Sequence, residues 1–140
     1  MSAEGNRRLL VLADFLEKSV TIGRFTIDVW VSSFWKGDAG LSCGAAACAV
    51  GWATTIPEFQ ALGLKLERDE EGFPQVKFPG AGNSFAAPAV LFEIHQHDSD
   101  RLFLPDFYVV EDEKGEEKQY DPTPKEVAAR IRAFVAKEIE

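Results

Sequence analysis

Ser42-Cys43-Gly44-Ala45-Ala46-Ala47-Cys48-Ala49-Val50-Gly51-Trp52-Ala53, closed by Pro57, is the stretch whose reading decides the fold. Serine is a good N-cap and alanine the strongest helix former, so the composition predicts a helix over Ser42 to Thr55. Gly44 and Gly51 each cost about 1 kcal/mol against alanine inside a helix. Small side chains offset that cost when they let other backbones approach closely. The expectation is a buried, small-residue central helix with the remaining elements packed on its bare surface.

Working outward, Asn6 to Lys18 reads as a helix capped by Asn6, with Leu9, Leu12, Ala13 and Leu16 as its apolar stripe and residues 1–5 as a flexible N-terminus. Phe25 to Trp30 is β-branched and aromatic, fitting a short strand or a second helix. The two glycines of Lys36 to Gly40 mark a loop. Downstream, Leu64 to Arg68 and Gln75 to Phe78 alternate apolar and polar residues around Asp69 to Pro74, which predicts a half-buried β-hairpin. Pro79 to Asn83 is a loop, and Phe85 to Gln96 a helix with Pro88 in its first turn. Asp98 or Ser99 caps a short turn through Arg101 to Phe103, stopped by Pro105. Glu111 to Lys118 reads as an exposed loop, or as the tip of a loose hairpin between Val109 and Tyr120. Thr123-Pro124-Lys125-Glu126 opens the last helix with Thr at the N-cap, Pro at N1 and Glu at N3. The predicted fold is therefore α+β: one mostly helical domain over residues 1–140, with a small-residue central helix and one β-hairpin.

The 140 residues carry 15 Lys and Arg against 23 Asp and Glu, a net charge of −8 and a pI near 4.8. That sign argues against nucleic acid and against an anionic membrane surface, both of which attract a basic face. No apolar run approaches the ~20 residues of a membrane span, and Met1 to Gly5 lacks the basic n-region of a signal peptide. A cytoplasmic protein is expected. Neither a P-loop nor a dinucleotide fingerprint is present. Acidic neighbours such as Asp98 and Asp100 lie in polar surroundings that would not raise a carboxyl pKa toward catalytic use.

Chemistry could rest on Cys43, Cys48, His95 and His97. A thiol at a helix N-terminus is activated by the orphan N–H groups, so Cys43 with His95 or His97 would make a nucleophile and base. The same four residues would make a Cys2His2 zinc set. Their spacing is unfavourable for that, since residues five apart on a helix point about 140° apart and residues two apart about 200°. A Cys43–Cys48 disulfide is excluded if both lie in one helix, where their Cα atoms would be about 8.7 Å apart. The competing reading makes both cysteines small core residues. Trp30, Trp35 and Trp52 are core candidates that would mark a binding face if exposed.

Phe25 to Trp30 followed by Cys43-Gly44-Ala45-Ala46-Ala47-Cys48-Ala49-Val50-Gly51-Trp52-Ala53 resembles a group of small, uncharacterised bacterial and phage proteins. These share a Cys-Gly-x-x-x-Cys-x-x-Gly-(Trp/His)-Ala segment. Leu102-Phe103-Leu104-Pro105 and Thr123-Pro124-Lys125-Glu126-Val127-Ala128-Ala129-Arg130-Ile131 resemble later elements of the group, in the same order; the acidic run 111–118 departs from it. The resemblance implies a bacterial or phage setting inside the cell and no particular activity. The sequence therefore favours a non-enzymatic protein-binding domain without a cofactor, and leaves a homo-oligomer open. A thiol- or zinc-dependent enzyme built on Cys43, Cys48, His95 and His97 is the alternative.

Overall fold

Leu9, Leu12, Ala13 and Leu16 repeat at helical spacing, and all four are fully buried on one side of helix α1 (Ala3–Ser19). The computed structural model describes residues 3–20, 25, 47–72, 74–104, 108–120 and 122–139. After α1 follow α2 (Ala49–Ala53), α3 (Pro57–Ala61), strands β1 (Lys65–Arg68) and β2 (Pro74–Lys77), α4 (Ala87–Phe92), α5 (Gln96–Phe103), strands β3 (Val109–Glu111) and β4 (Glu117–Gln119), and α6 (Pro124–Ile139). The architecture is α+β, mostly helical, with one continuous apolar core among the described residues. α1 packs against α6, α4 and α2, and α5 closes on α4 and α6.

The α1–α6 pairing joins the buried stripe of α1 to Val127, Ile131 and Val135 of α6. Arg132 fastens its rim by bonding to Asp14, at 2.6 Å, and to Glu17. α6 begins as its sequence predicts: Thr123 Oγ1 accepts from the Glu126 N–H at 3.1 Å while Glu126 Oε1 accepts from the Thr123 N–H at 3.0 Å. This reciprocal box satisfies two N–H groups that a helix start leaves without partners. α1 starts earlier than expected, at Ala3, and Asn6 lies inside the helix instead of capping it. Arg7, between Glu4 and Glu58, ties this first turn to α3 and holds both carboxyls below the usual carboxylate range.

The small-residue helix is much shorter than its composition suggests. Ala47 pairs with Phe25 in a parallel bridge and Cys48 is extended (φ −76°, ψ 177°), so the helix begins at Ala49 rather than Ser42. Its other end is set by two threonines: Thr54 Oγ1 donates to the Gly51 carbonyl at 2.6 Å and Thr55 Oγ1 to the Trp52 carbonyl at 2.7 Å. Such local bonds compete with helix continuation, and Pro57 then starts α3 at its first position. All five residues of α2 are buried, as the bare surface predicts. Residues 26–46 lie outside the described residues, and with them the expected element Phe25 to Trp30 beyond Phe25 and the loop Lys36 to Gly40.

The predicted helix over Phe85 to Gln96 is divided. Glu93 adopts a left-handed conformation (φ 55°), and the Ile94 N–H returns to the Ala89 carbonyl at 3.0 Å, which ends α4 in the 6→1 pattern usual for glycine. α5 then starts at Gln96, earlier than the expected turn around Arg101 to Phe103. The predicted hairpin forms as β1–β2, with Leu66 opposite Val76. A second hairpin, β3–β4, frames the acidic run, so 111–118 is exposed but ordered around its tip. There Asp112 Oδ1 accepts from the N–H groups of Lys114 and Glu116 at 2.9 and 3.0 Å.

Gly63 separates α3 from β1 at φ +107°, and a Cβ there would sit 2.8 Å from Pro79 Cδ and Cγ. Gly72 has φ +89° with open space around it. Gly63→Ala should therefore lose about 2–4 kcal/mol, strain plus clash, and Gly72→Ala about 1–2 kcal/mol. Urea denaturation of the two variants checks this order.

Candidate functional site

Cys48, His95 and His97 do not share one environment. Cys48 is a free thiol, 3% exposed, between the Ala47 bridge and the first turn of α2, where its Sγ accepts from the Gly51 N–H at 3.5 Å. Burial pushes its thiol up to about 11, against the smaller opposing effect of the Gly51 and Val50 N–H groups. A nucleophilic cysteine needs the reverse shift. His95 and His97 lie exposed at the start of α5, His95 as the residue preceding its first turn. Cys43, Trp30 and Trp35 lie outside the described residues. Among the described residues, no three His, Cys, Asp or Glu side chains converge to hold a metal.

Trp52, a core candidate from the sequence, lies in the core and offers no binding face. It is 5% exposed and packs its ring against Phe15 at 6.2 Å between centroids, because α2 presses its whole circumference into the interior. Phe92 packs likewise, between Phe59 (5.8 Å, edge-on) and Phe103 (5.7 Å, stacked).

The exposed apolar residues lie elsewhere. Leu62, Val90 and Phe85 are 39%, 37% and 53% exposed. Leu62 ends α3, and its neighbour Gly63 abuts the Pro79 ring; Gly80 in turn faces Val90 Cγ1 on α4. The loop 79–83 thus bridges α3 and α4 into one surface with Leu62 and Val90 on it. Ser84 anchors the loop by accepting from the Val76 N–H at 3.0 Å and donating to Gln75 Oε1 at 2.7 Å. Asn83 Oδ1 accepts from the Ala86 N–H at 3.0 Å.

Beside this surface runs an open groove of about 420 Å³ floored by Val76, Phe78, Pro79 and Ala81 and edged by Lys65 and Lys77. The two lysines are directly opposite one another across β1–β2, a like-charge pairing that a sheet does not favour. Only Lys65 has a carboxylate among the described residues, Glu67 at 3.0 Å. The arrangement offers apolar contact beside a positive edge, and no nucleophile or paired acid and base.

None of these residues was singled out in the sequence. The usable signal was the hairpin register, which places Lys65 against Lys77 once the turn 69–74 is counted, together with the Pro-Gly loop that follows. The contact of that loop with α4 is tertiary and leaves no local trace. Comparison of the chain with protein-family models, curated proteins and solved structures finds no match in any of them.

The Cys48 geometry carries a pH dependence. Its folded pKa, near 11, lies above the 9.0 of an exposed thiol, so folding is unaffected below about pH 9 and is opposed as pH climbs toward 11. Tyr108, whose buried hydroxyl is pushed up from its ordinary 10, adds to the loss above pH 10. Stability should fall by up to about 3 kcal/mol for the thiol over that interval. Cys48→Ala should remove the part that sets in between pH 9 and 10, measured by urea melts across pH.

Proposed function

We propose that this chain is a non-enzymatic interaction domain that holds a partner protein in the cytoplasm of a bacterial or phage-infected cell. The observation that carries the reading is the exposed surface of Leu62, Pro79 and Val90 beside the lysine-edged groove. The partner segment that fits it presents apolar side chains next to carboxylates, which meet the floor and the Lys65–Lys77 edge respectively. The cellular setting rests on the resemblance of the 43–53 segment to bacterial and phage proteins; no helix among the described residues is long and apolar enough to cross a membrane. The alternative, a thiol or zinc enzyme on Cys43, Cys48, His95 and His97, draws no support from Cys48, whose buried thiol stays protonated at neutral pH.

Leu62→Asp and Val90→Asp alter partly exposed side chains and should cost about 1–2 kcal/mol while leaving the fold intact, checked by urea melts. Crosslinking in the native cells, mapped by mass spectrometry, should place partner contacts on residues 62–65 and 77–90. Both variants should lose those contacts, and Lys77→Glu should weaken them. Partner contacts confined to other faces, or retained in full by folded Leu62→Asp and Val90→Asp, would overturn the reading.

A further inference from the structure

α5 and α6 enclose a second cleft, on surface that the interaction reading does not use. Asp98, Arg101 and Leu102 face it from α5; Arg130, Ala133, Phe134 and Lys137 face it from α6; its volume is about 360 Å³. The spacing explains the lining. Residues 98, 101 and 102 are i, i+3 and i+4 on one helix, and residues 130, 133, 134 and 137 are i, i+3, i+4 and i+7 on the other. Two single-faced stripes therefore meet across the groove. Ala133 keeps it open where a larger side chain would fill it, and the half-buried Phe134 makes its apolar wall above the buried Leu102.

The charge of this cleft runs against the balance of the whole chain. The protein carries −8 overall, yet three cations and one carboxylate line the cleft. The other arginines of α1 and α6 are engaged: Arg7 with Glu4 and Glu58, Arg8 with Glu4, Arg132 with Asp14 and Glu17. Arg101 and Lys137, by contrast, pair with no carboxylate among the described residues. Arg130 is held in place beside them. Its guanidinium lies over the Tyr108 ring at 3.8 Å and donates to the Arg101 carbonyl at 3.3 Å. Tyr108 is itself fixed, with its hydroxyl donating to the Leu102 carbonyl at 2.6 Å and Tyr120 edge-on at 6.1 Å. A stacked, bonded arginine loses little side-chain entropy when it meets an anion.

We propose that the α5–α6 cleft is a binding site for a small organic oxyanion, with its carboxylate or phosphate at Arg101, Arg130 and Lys137 and its apolar group against Ala133 and Phe134. The volume lies within the range of small-molecule sites. Asp98 selects against a bare polyanion by repelling charge at the α5 end, which leaves room for one anionic group and one neutral body.

Amide chemical-shift titration of the ¹⁵N-labelled protein tests this with phenyl phosphate, benzoate, inorganic phosphate and phenol, each to about 20 mM, where millimolar affinities saturate. Saturable shifts confined to residues 98–102 and 130–137 are expected with phenyl phosphate or benzoate, and binding at least about tenfold weaker with inorganic phosphate and with phenol. Response to phenyl phosphate alone assigns a phosphate ligand, and equal response to both aryl anions a general oxyanion site. The double variant Arg101→Ala, Lys137→Ala replaces exposed side chains, so its melt should be unchanged while the dissociation constant rises roughly five- to tenfold. No saturable shift with either aryl anion would overturn the proposal. So would phenol or inorganic phosphate binding as tightly as phenyl phosphate, or a folded double variant that binds as well as the original. These outcomes are independent of the Leu62 and Val90 variants, which lie on other elements.

Discussion

Burial of the α1 stripe is the constraint on which the other elements converge. Leu9, Leu12, Ala13 and Leu16 are wholly removed from water because α6, α4 and α2 all pack on α1. Four fully buried apolar side chains on one helix contribute a stabilisation of several kcal/mol by area, and no single partner supplies that cover. Ala13 matters as much as the leucines here, since a small residue in the middle of the stripe lets neighbouring helices approach. α2 reaches the same end with Ala49, Val50, Gly51 and Ala53, whose lack of bulk makes its whole circumference buriable. The polar edges then set the angle at which elements meet. Arg7 links α1 to Glu58 of α3, Arg8 Nη1 donates to the Leu91 carbonyl of α4 at 2.7 Å, and Arg132 links α6 to α1.

The parts of this fold legible in the sequence are those fixed within a few residues. The capping box at Thr123 and Glu126 is a local exchange of two hydrogen bonds, so four letters specify it. The β1–β2 pairing follows from alternation and a turn. The α1 stripe follows from a period of 3.6. What escaped reading was decided by competition between local signals. Alanine content argues for a long helix from Ser42, but the extended Cys48 and the two threonine hydroxyls confine it to Ala49–Ala53. Glu93 ends α4 in a conformation that glycine normally takes, so no stop signal was visible.

The candidate sites were less legible than the fold, for a physical reason. A thiol, a histidine or a tryptophan draws attention by residue type, whereas its role depends on burial that type alone does not fix. Trp52 and Cys48 both went inward with α2, and His95 and His97 stayed at the surface at the start of α5. The lysines and arginines that line the two grooves are ordinary residues on helix and strand edges. Only the meeting of β1 with β2, and of α5 with α6, turns them into local concentrations of charge.

Those concentrations change what the net charge implies. A total of −8 argues against a broad basic face, but it does not set the potential inside a groove. At physiological ionic strength the Debye length is about 8 Å, so carboxylates across the molecule are largely screened from the α5–α6 cleft while Arg101, Arg130 and Lys137 act on it at short range. The acidic remainder still acts at long range in dilute salt, where the same length grows to about 30 Å near 0.01 M. In dilute salt the acidic remainder then lowers the potential at the cleft and offsets part of the local attraction for a bound anion. Raising the salt from very low values relieves the first effect before it weakens the second, so anion affinity should pass through a maximum with ionic strength. A uniformly basic cleft on a basic protein would instead weaken monotonically with salt.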